Sequence, residues 1–294
     1  MKAWLIINEF LHSNKFTEIN QWLLDAAKTK GIEMELKTNA EVLTVLSKAA
    51  VEKISLDFIL FWDKDVRLAN YLERIGYLVV NSSRAIAACD DKAQTHIMLQ
   101  TNGIPMPKTV LAPMTYDNIG YTNFCFLDLV EREIAYPIIV KECFGSFGMQ
   151  VYKADNRQQL EGIVKEIGSK PMLFQEFIAE SAGKDIRIHV VGDKAVTSMA
   201  RYSRTGDFRA NITNGGSMMQ YEPTMEEKQL AIRSANILGL DFAGVDILIG
   251  ADGKPMVCEV NSNAHFRNIY DCTGVNVAEA MMDYMRNDRI KRSF

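Results

Sequence analysis

The chain has 294 residues, of which 48% are hydrophobic and 24% are charged, a composition typical of a globular protein with about two domains. Its formal net charge of −4 and pI near 5.7 argue against a broadly basic nucleic-acid surface and favour small-molecule or protein partners. The five cysteines form no CxxC pair or zinc pattern, and no segment approaches the roughly 20 apolar residues of a membrane span, so we expect a reduced, cytoplasmic protein.

The N-terminal part of the chain alternates strand patterns with helix patterns. We predict strands at Trp4–Asn8, Glu33–Lys37, Phe58–Trp62 and Leu78–Asn81, and helices at Lys15–Lys30 and Arg67–Ile75. This alternation indicates βαβ units and a parallel sheet. Ligands bind beyond the carboxyl ends of such strands, which directs attention to Asn8, Glu9 and the turn Asp63–Asp65, although solvated turn charges are the simpler explanation.

The chain turns helical after Asn81, which marks a candidate domain boundary. We predict that Asp90 caps a second helix that runs to Asn102 and stops at Gly103. The two prolines in residues 103–109 then predict an extended connector, because proline restricts its own backbone and that of its predecessor.

From Tyr136 onward the pattern predicts mainly strands and hairpins, with two helices. One helix covers Arg157–Ile167 and the other covers Thr224–Leu238. The second is marked at its start by a capping box of Thr224 with Glu227, and Gly239 is a typical stop.

A glycine-rich loop, KECFGSFGMQV, covers residues 141–151 and matches neither a P-loop nor a dinucleotide fingerprint. Strand patterns at Tyr136–Lys141 and Met149–Lys153 flank it, so we interpret it as a hairpin flap. Its glycines let the backbone expose N–H groups to phosphate oxygens, although a plain hairpin turn is the favoured explanation of this stretch taken alone.

The segment 244–261 carries a candidate metal site. Asp252 and Gly253 signal a two-residue hairpin loop, and five residues separate that loop from Asp246 on one side and from Glu259 on the other. The two carboxylates therefore face each other, with Asn261 on the same face of its strand. Such oxygen donors predict a Mg²⁺ or Mn²⁺ ion, and the alternative is a solvent-facing pair that binds nothing.

Basic residues precede or surround these two motifs. Lys141 ends an otherwise apolar strand, and Lys92 lies in the first turn of its helix, an unfavourable place for a cation unless an anion shares the site. Surface solvation is the alternative for each residue taken alone. A cluster of arginines that suits carboxylate or phosphate lies between residues 185 and 211 and consists of Arg187, Arg201, Arg204 and Arg209.

Several motifs, taken together and in order, resemble the ATP-grasp superfamily, and within it the RimK-like carboxylate–amine ligases. They are NSSRAIAACDDKAQT, GIPMPKT, YPIIVKECFGSFGMQV, QEFIAESAGKDIRIHVVG, FRANITNGG, AGVDILIG and VCEVNSN. The resemblance implies an α/β plus α+β architecture in which two α+β lobes hold ATP between them. It places an N-terminal parallel βαβ domain at residues 1–90, a central lobe with the flap at 91–178 and a C-terminal lobe with the metal site at 179–294.

The resemblance also implies roles for individual residues. Those similar to the family's nucleotide-binding residues are Lys92, Lys141, Gly145, Ser146, Gly148, Gln175, Glu176, Phe177, Ile178, Asp185, Arg209 and Asn211. The metal ligands correspond to Asp246, Glu259 and Asn261, in agreement with the hairpin argument. The residues that contact the reacting groups correspond to Arg209, Lys141, Arg187 and Arg201. His189 and His265 are interpreted as structural.

The activity that the resemblance implies is amide formation through an acylphosphate, with ATP and two Mg²⁺ or Mn²⁺ ions. The partners are a carboxylate and an amine, with glutamate added to an amino acid, a peptide or a protein terminus, without nucleic acid or membrane. A dimer or tetramer is left open. A small-molecule kinase and a non-catalytic ATP sensor are the alternatives. In place of the Pro-Gly pair that relatives carry after the metal-binding asparagine, this chain reads Ser262 to Phe266, which leaves the substrate open.

Overall fold

The computed structural model describes residues 1–42, 54–145, 148–210 and 215–289. Within these ranges the chain forms three sheets, each packed against helices. No helix in the same ranges is long and apolar enough to cross a lipid bilayer.

The N-terminal sheet is parallel throughout. It consists of β1 (Lys2–Ile7), β2 (Glu33–Thr38), β3 (Phe58–Phe61) and β4 (Val79–Val80), in the spatial order β2-β1-β3-β4. Helix α1 (Asn14–Thr29) follows β1, and α2 (Val66–Arg74) follows β3. Leu5 packs in the core with α1, and Ile6 packs on the opposite face with α2, as strand alternation requires. The predicted βαβ pattern is confirmed.

Two helices link this sheet to the rest of the chain. Helix α3 (Ser83–Asp90) is capped by Ser82, and α4 (Lys92–Thr101) is capped by Asp91, whose side chain accepts from two backbone N–H groups. The prediction that Asp90 is the cap is wrong, because Asp90 ends α3 and the chain becomes extended only at Asp91. Leu99 of α4 lies in the core that the C-terminal sheet forms.

The central sheet consists of β5 (Thr109–Leu111), β6 (Ile138–Glu142), β7 (Val151–Ala154) and β8 (Met172–Glu176), in the order β5-β8-β6-β7, with antiparallel pairs. Helices α5 (Phe126–Glu133) and α6 (Arg157–Ile167) cover one face through a shared apolar core. The predicted flap hairpin is confirmed, since β6 and β7 pair on either side of the glycine loop.

The C-terminal sheet is also antiparallel. It consists of β9 (Lys184–Val191), β10 (Lys194–Tyr202), β11 (Ser217–Gln220), β12 (Phe242–Ile249) and β13 (Pro255–Asn261), in the order β11-β10-β9-β12-β13. Helix α7 (Met225–Leu238) packs on one face and carries the predicted capping box, with Gly239 in the left-handed conformation at its end. Buried Asn81 ties β12 to the N-terminal part through hydrogen bonds with the backbone of Asp241, Phe242 and Ser262.

Two further helices follow β13 that the sequence pattern did not predict. They are α8 (Arg267–Thr273), which ends at a left-handed Gly274, and α9 (Val277–Tyr284), which Asn276 caps. Both are shorter than an isolated helix needs to be, so packing of their apolar residues between the N-terminal and C-terminal sheets stabilises them.

Candidate active site

A cavity lies between the central and C-terminal sheets. Ile139 and Lys141 of β6 point into it, while Ile138 and Val140 pack in the core with the helices on the other face. Of the residues that the sequence singled out, the cavity is lined by Lys141, Gly148, Gln175, Glu176, Phe177, Ile178, Asp185, Arg201, Arg209, Asp246 and Glu259. The structure therefore brings most of the predicted site together between the two lobes.

The remaining predicted residues divide into two groups. In the first group, Lys92 contacts both Gly145 and the cavity residue Glu259, and Arg187 contacts the cavity residue Asp246. Asn261 belongs to the same group and lies two residues after Glu259 on β13. Ser146 and Asn211 lie outside the described residues.

The hairpin of β12 and β13 places Asp246 directly opposite Glu259, as predicted. The loop that connects the two strands differs from the predicted one. The loop has three residues, closed by Gly250 N–H to Lys254 O at 3.0 Å, and Gly253 occupies its left-handed position with φ 75°. The prediction of a two-residue loop is therefore wrong, and the pairing beyond the loop is shifted by one residue relative to it.

A β-bulge restores the register. Ile247 pairs with Val257 whereas Asp246 pairs with Glu259, so Cys258 is the extra residue. Because of the bulge, Cys258 and Glu259 both line the cavity although they are consecutive. Val257 and Val260 both lie in the core beneath α7, three positions apart. The bulge thus aims two neighbouring polar side chains at one site.

Asp246 is the centre of an arginine network across three strands. Its carboxylate accepts from Arg187 Nε and Nη2, each at 2.6 Å, and from Arg201 Nη2 at 3.0 Å. Arg201 also donates to both oxygens of Asp185 at 2.6 and 2.7 Å. Burial alone raises the pKa of Asp246, but the two guanidinium groups outweigh burial and bring its pKa down to about 2. Asp246 is therefore ionised at neutral pH.

The donor set of Asp246, Glu259 and Asn261 fits a hard cation. The buried Nδ2 of Asn261 has no hydrogen-bond partner in the part of the chain that the structure describes, so no hydrogen bond holds the amide through its nitrogen. In that same part no three His, Cys, Asp or Glu side chains form a metal site by themselves. An ion here needs the amide and additional oxygens from a ligand, which is how Mg²⁺ is commonly held beside phosphates.

The two lysines approach this centre from different elements. Lys92, the first residue of α4, lies 3.5 Å from Glu259 and donates to the carbonyl oxygen of Gly145 at 3.1 Å. Lys141 is only 7% exposed, and its Nζ lies 3.6 Å from the sulfur of Cys258. Among the described residues no carboxylate forms an ion pair with Lys141. A buried ammonium without a counter-charge is costly, which favours an anionic ligand in the cavity.

The flap is held at both ends by cations. Arg209 donates to the carbonyl oxygen of Gly148 at 2.9 Å and pairs with Asp207 at 2.8 Å, while Lys92 holds Gly145. Gly148 has φ 71°, a left-handed conformation that favours glycine. The flap backbone is thus positioned by groups that suit phosphate as well.

A second cavity lies at the carboxyl ends of β1 and β3. Asn8 donates to both oxygens of the buried Asp63, at 3.2 Å each, and burial raises the pKa of Asp63. Asn263 and His265, from the segment Ser262 to Phe266 that follows Asn261, line the same cavity. The unusual segment therefore forms part of its wall.

Positive charge connects this cavity to the Asp246 centre. Burial lowers the pKa of Lys15, in the first turn of α1, and the charge of Arg187 acts in the same direction. Burial likewise lowers the pKa of His265 to about 4, with Lys15 and Arg187 adding to the effect. The electrostatic field between the two cavities suits an anionic substrate group.

Sequence reasoning missed Cys258 and Lys15 as neighbours of the site. The three-residue spacing of the buried valines around Cys258 was a signal of the bulge, because a regular strand cannot bury both on one face. Nothing in the local pattern around Lys15 places it near Arg187, since that proximity arises from packing between distant parts of the chain.

The fold matches solved ATP-grasp structures. The ATP-grasp ligase PsnB, solved with a phosphomimetic variant of its minimal precursor, Mg and ADP, superposes with a TM-score of 0.68 at 18% identity, covering 97% of each chain. This likeness confirms the ATP-grasp fold that the sequence predicted.

The chain belongs to the RimK-like ATP-grasp domain family, whose model matches residues 89–285. The "Probable alpha-L-glutamate ligase 2" of Hahella chejuensis is 32% identical over 284 residues, which cover 90% of this chain and 90% of that relative. The human N-acetylaspartylglutamate synthase A is 33% identical over 255 residues, which cover 86% of this chain and 63% of that relative. The chain spans about three fifths of the length of the synthases that it matches.

Proposed function

We propose that the chain is an ATP-dependent carboxylate–amine ligase that forms an amide bond through an acylphosphate. The observation that carries the proposal is the convergence of Lys141, Arg201 and the Asp246–Glu259 pair in one cavity between two lobes. The names of the relatives, which are glutamate ligases and synthases, support it.

ATP occupies the interlobe cavity in this proposal. Its phosphates lie between the flap and the Asp246 centre, where Lys141 meets an anion that balances its buried charge. Its base lies toward Glu176–Ile178, the segment that leads out of β8. Asp185, one of the residues similar to the family's nucleotide-binding residues, lines the cavity with both oxygens already bound by Arg201.

Asp246, Glu259 and Asn261 would hold Mg²⁺, which when bound neutralises and orients phosphate oxygens. Mn²⁺ suits the same oxygen donors, and two ions are part of the proposal. Asp246 already pairs with two arginines, so a cation alone would meet repulsion there. We therefore expect the metal to bind tightly only together with nucleotide, whose phosphates add the missing negative charge.

The side chains act by positioning and by charge. Lys141 and Arg209 offset the charge that develops as the phosphoryl group moves to the substrate carboxylate. Arg187 and Arg201 hold Asp246 ionised and fixed. The amine then displaces phosphate from the acylphosphate, a step that needs no protein nucleophile.

The second cavity is the proposed acceptor site. The charges of Lys15 and Arg187, which act on each other and on His265 in its wall, suit a carboxylate. Buried Asp63 offers a negative charge for an ammonium group. Glutamate joined to an amino acid, peptide or protein terminus is the proposed reaction.

The purified protein should be incubated with Mg-ATP and a panel of amino acids and short peptides, with ADP release and product masses as readouts. ADP together with a product mass equal to two substrates minus water is the expected result. A phosphorylated substrate as the sole product would contradict the ligase and indicate a kinase.

A further inference from the structure

The second cavity contains a buried carboxylate, Asp63. This side chain is 7% exposed, and both of its oxygens accept from Asn8 at 3.2 Å. Its neighbour Lys64 pairs with Asp90, and no ion pair involving Asp63 occurs within the described ranges. A carboxylate offers about four acceptor positions, so Asp63 keeps room for a donor from a ligand. Burial of this charge without a counter-charge is costly, which favours a cationic group in the cavity.

Asn263 supplies a second acceptor in the wall of the same cavity. Its buried Oδ1 has no hydrogen-bond partner in the part of the chain that the structure describes. A buried acceptor normally has a donor, so this oxygen also favours a ligand that donates. An ammonium group has a positive charge and three N–H donors, which suits a cavity lined by a carboxylate and an unsatisfied amide oxygen.

The cavity also has an apolar wall. Ile7 and Trp62 lie at the ends of neighbouring strands, and Leu11 and Phe16 come from the connection to α1 and from its first turn. A metal ion with its bound water gains nothing from such a wall, whereas the hydrocarbon part of an organic amine buries apolar surface against it. The combination therefore fits an organic amine with an apolar body.

The cavity borders the proposed site of amide formation. Asn263 follows the proposed metal ligand Asn261 by two residues, so their Cα atoms are at most about 7 Å apart. Arg187, which pairs with Asp246, also acts by its charge on His265 in the cavity wall. An amine in this cavity is thus next to the region in which the acylphosphate is proposed to form.

We propose that the second cavity selects an amine substrate with an apolar side chain, such as leucine, whose ammonium group binds Asp63. The inference rests on the proposed ligase function and names the partner of glutamate as an apolar amino acid or a peptide that begins with one. Asparagine has nearly the same shape as leucine, but its amide would lose its hydration against the apolar wall, so it would bind weakly.

The test measures binding by calorimetry in the presence of Mg²⁺ and a non-hydrolysable ATP analogue. Leucine should bind roughly tenfold more tightly than asparagine, and also roughly tenfold more tightly than 4-methylpentanoate, which lacks the ammonium group. Leucylglycine is measured in parallel as the probe for a peptide N-terminus. Tighter binding of leucine supports a free amino acid as the substrate, and tighter binding of leucylglycine supports a peptide.

Two variants separate the ammonium contact from the apolar wall. Asp63→Asn should weaken leucine binding roughly tenfold and leave 4-methylpentanoate binding unchanged. Leu11→Ser changes a side chain that is 47% exposed, so it should preserve the fold while reducing the preference for leucine over asparagine several-fold. The matched control is Leu129→Ser on α5, which is 46% exposed and should keep the wild-type preference.

Equal binding of leucine and asparagine by the wild type, or no binding of either, would overturn the inference. Leucine binding that neither Asp63→Asn nor Leu11→Ser changes would overturn it as well. The ligase proposal is judged separately, by ADP release from Mg-ATP with the full panel of amines. ADP release without a preference for leucine would overturn the inference alone, whereas selective leucine binding without ADP release for any amine would overturn the ligase proposal and the substrate role together.

Discussion

Replacing Glu259 with glutamine should abolish turnover and leave the fold intact. The side chain is 33% exposed, and its ion pair with Lys92 is 3.5 Å long. Pairs of this kind contribute roughly 0–1 kcal/mol to stability. The metal that Glu259 would hold contributes several kcal/mol of charge stabilisation to phosphoryl transfer, and about 4 kcal/mol corresponds to a roughly thousandfold loss of rate.

Asp246→Asn is the comparison variant that separates a loss of activity from a loss of stability. Asp246 is 4% exposed and carries the pairs with Arg187 and Arg201. Its neutral variant leaves two guanidinium groups without their shared charge, which costs about 3–5 kcal/mol for a buried pair. We therefore expect Asp246→Asn to lose both activity and stability, and Glu259→Gln to lose activity alone.

The assay follows ADP release over a range of Mg²⁺ concentrations, with urea unfolding of each variant in parallel. The reasoning is refuted if Glu259→Gln keeps turnover within about tenfold of wild type, since a metal ligand cannot be replaced at so small an effect. The reasoning is also refuted if Glu259→Gln unfolds at a urea concentration as low as that for Asp246→Asn.

Three further predictions address the pH response, the flap and the second cavity. The pKa of Asp246 is about 2, below its ordinary 3.8, so the contribution of its ionised form to stability is complete above roughly pH 5 and is lost as pH falls toward 2. The urea midpoints of wild type and Asp246→Asn should therefore converge as the pH is lowered over that range. A difference between the two midpoints that stays constant with pH would contradict this prediction. Gly148→Ala forces a side chain into φ 71°, so the KM for ATP should rise several-fold in steady-state kinetics, whereas an unchanged KM would show that the flap does not contact nucleotide. Asp63→Asn should raise the KM for the amine roughly tenfold and leave the KM for ATP unchanged, and the opposite pattern would place the acceptor elsewhere.

The sequence predicted which residues pair in the β12–β13 hairpin, but not the loop and bulge that produce this pairing. Asp246 faces Glu259 as expected, because the longer loop and the bulge at Cys258 shift the register by one residue in opposite directions. Counting residues outward from the Asp252-Gly253 loop signal cannot detect the longer loop or the bulge, because their effects on the strand register cancel. Buried Val257 and Val260 carried the missing information in their spacing.

The remaining errors arise where tertiary packing decides local structure. Asp90 and Asp91 are equally good caps by residue type, and only the backbone conformation distinguishes them. Helices α8 and α9 are too short for a periodic pattern and are held by burial between two sheets. The strand-end rule pointed to the part of the second cavity that Asn8 and Asp63 form, but Asn263 and His265 reach the same cavity from more than a hundred and ninety positions away, which no local motif predicts.

The ligase account is tested most directly by trapping the acylphosphate. The protein is incubated with Mg-ATP, a panel of carboxylates and hydroxylamine in place of the amine, and the products are identified by mass spectrometry. The account predicts a hydroxamate in amounts equal to the ADP released, because hydroxylamine attacks an activated acyl group. A phosphorylated product that is stable to hydroxylamine would contradict the account and identify a kinase, and ATP binding without ADP release across the panel would contradict it in favour of a nucleotide sensor.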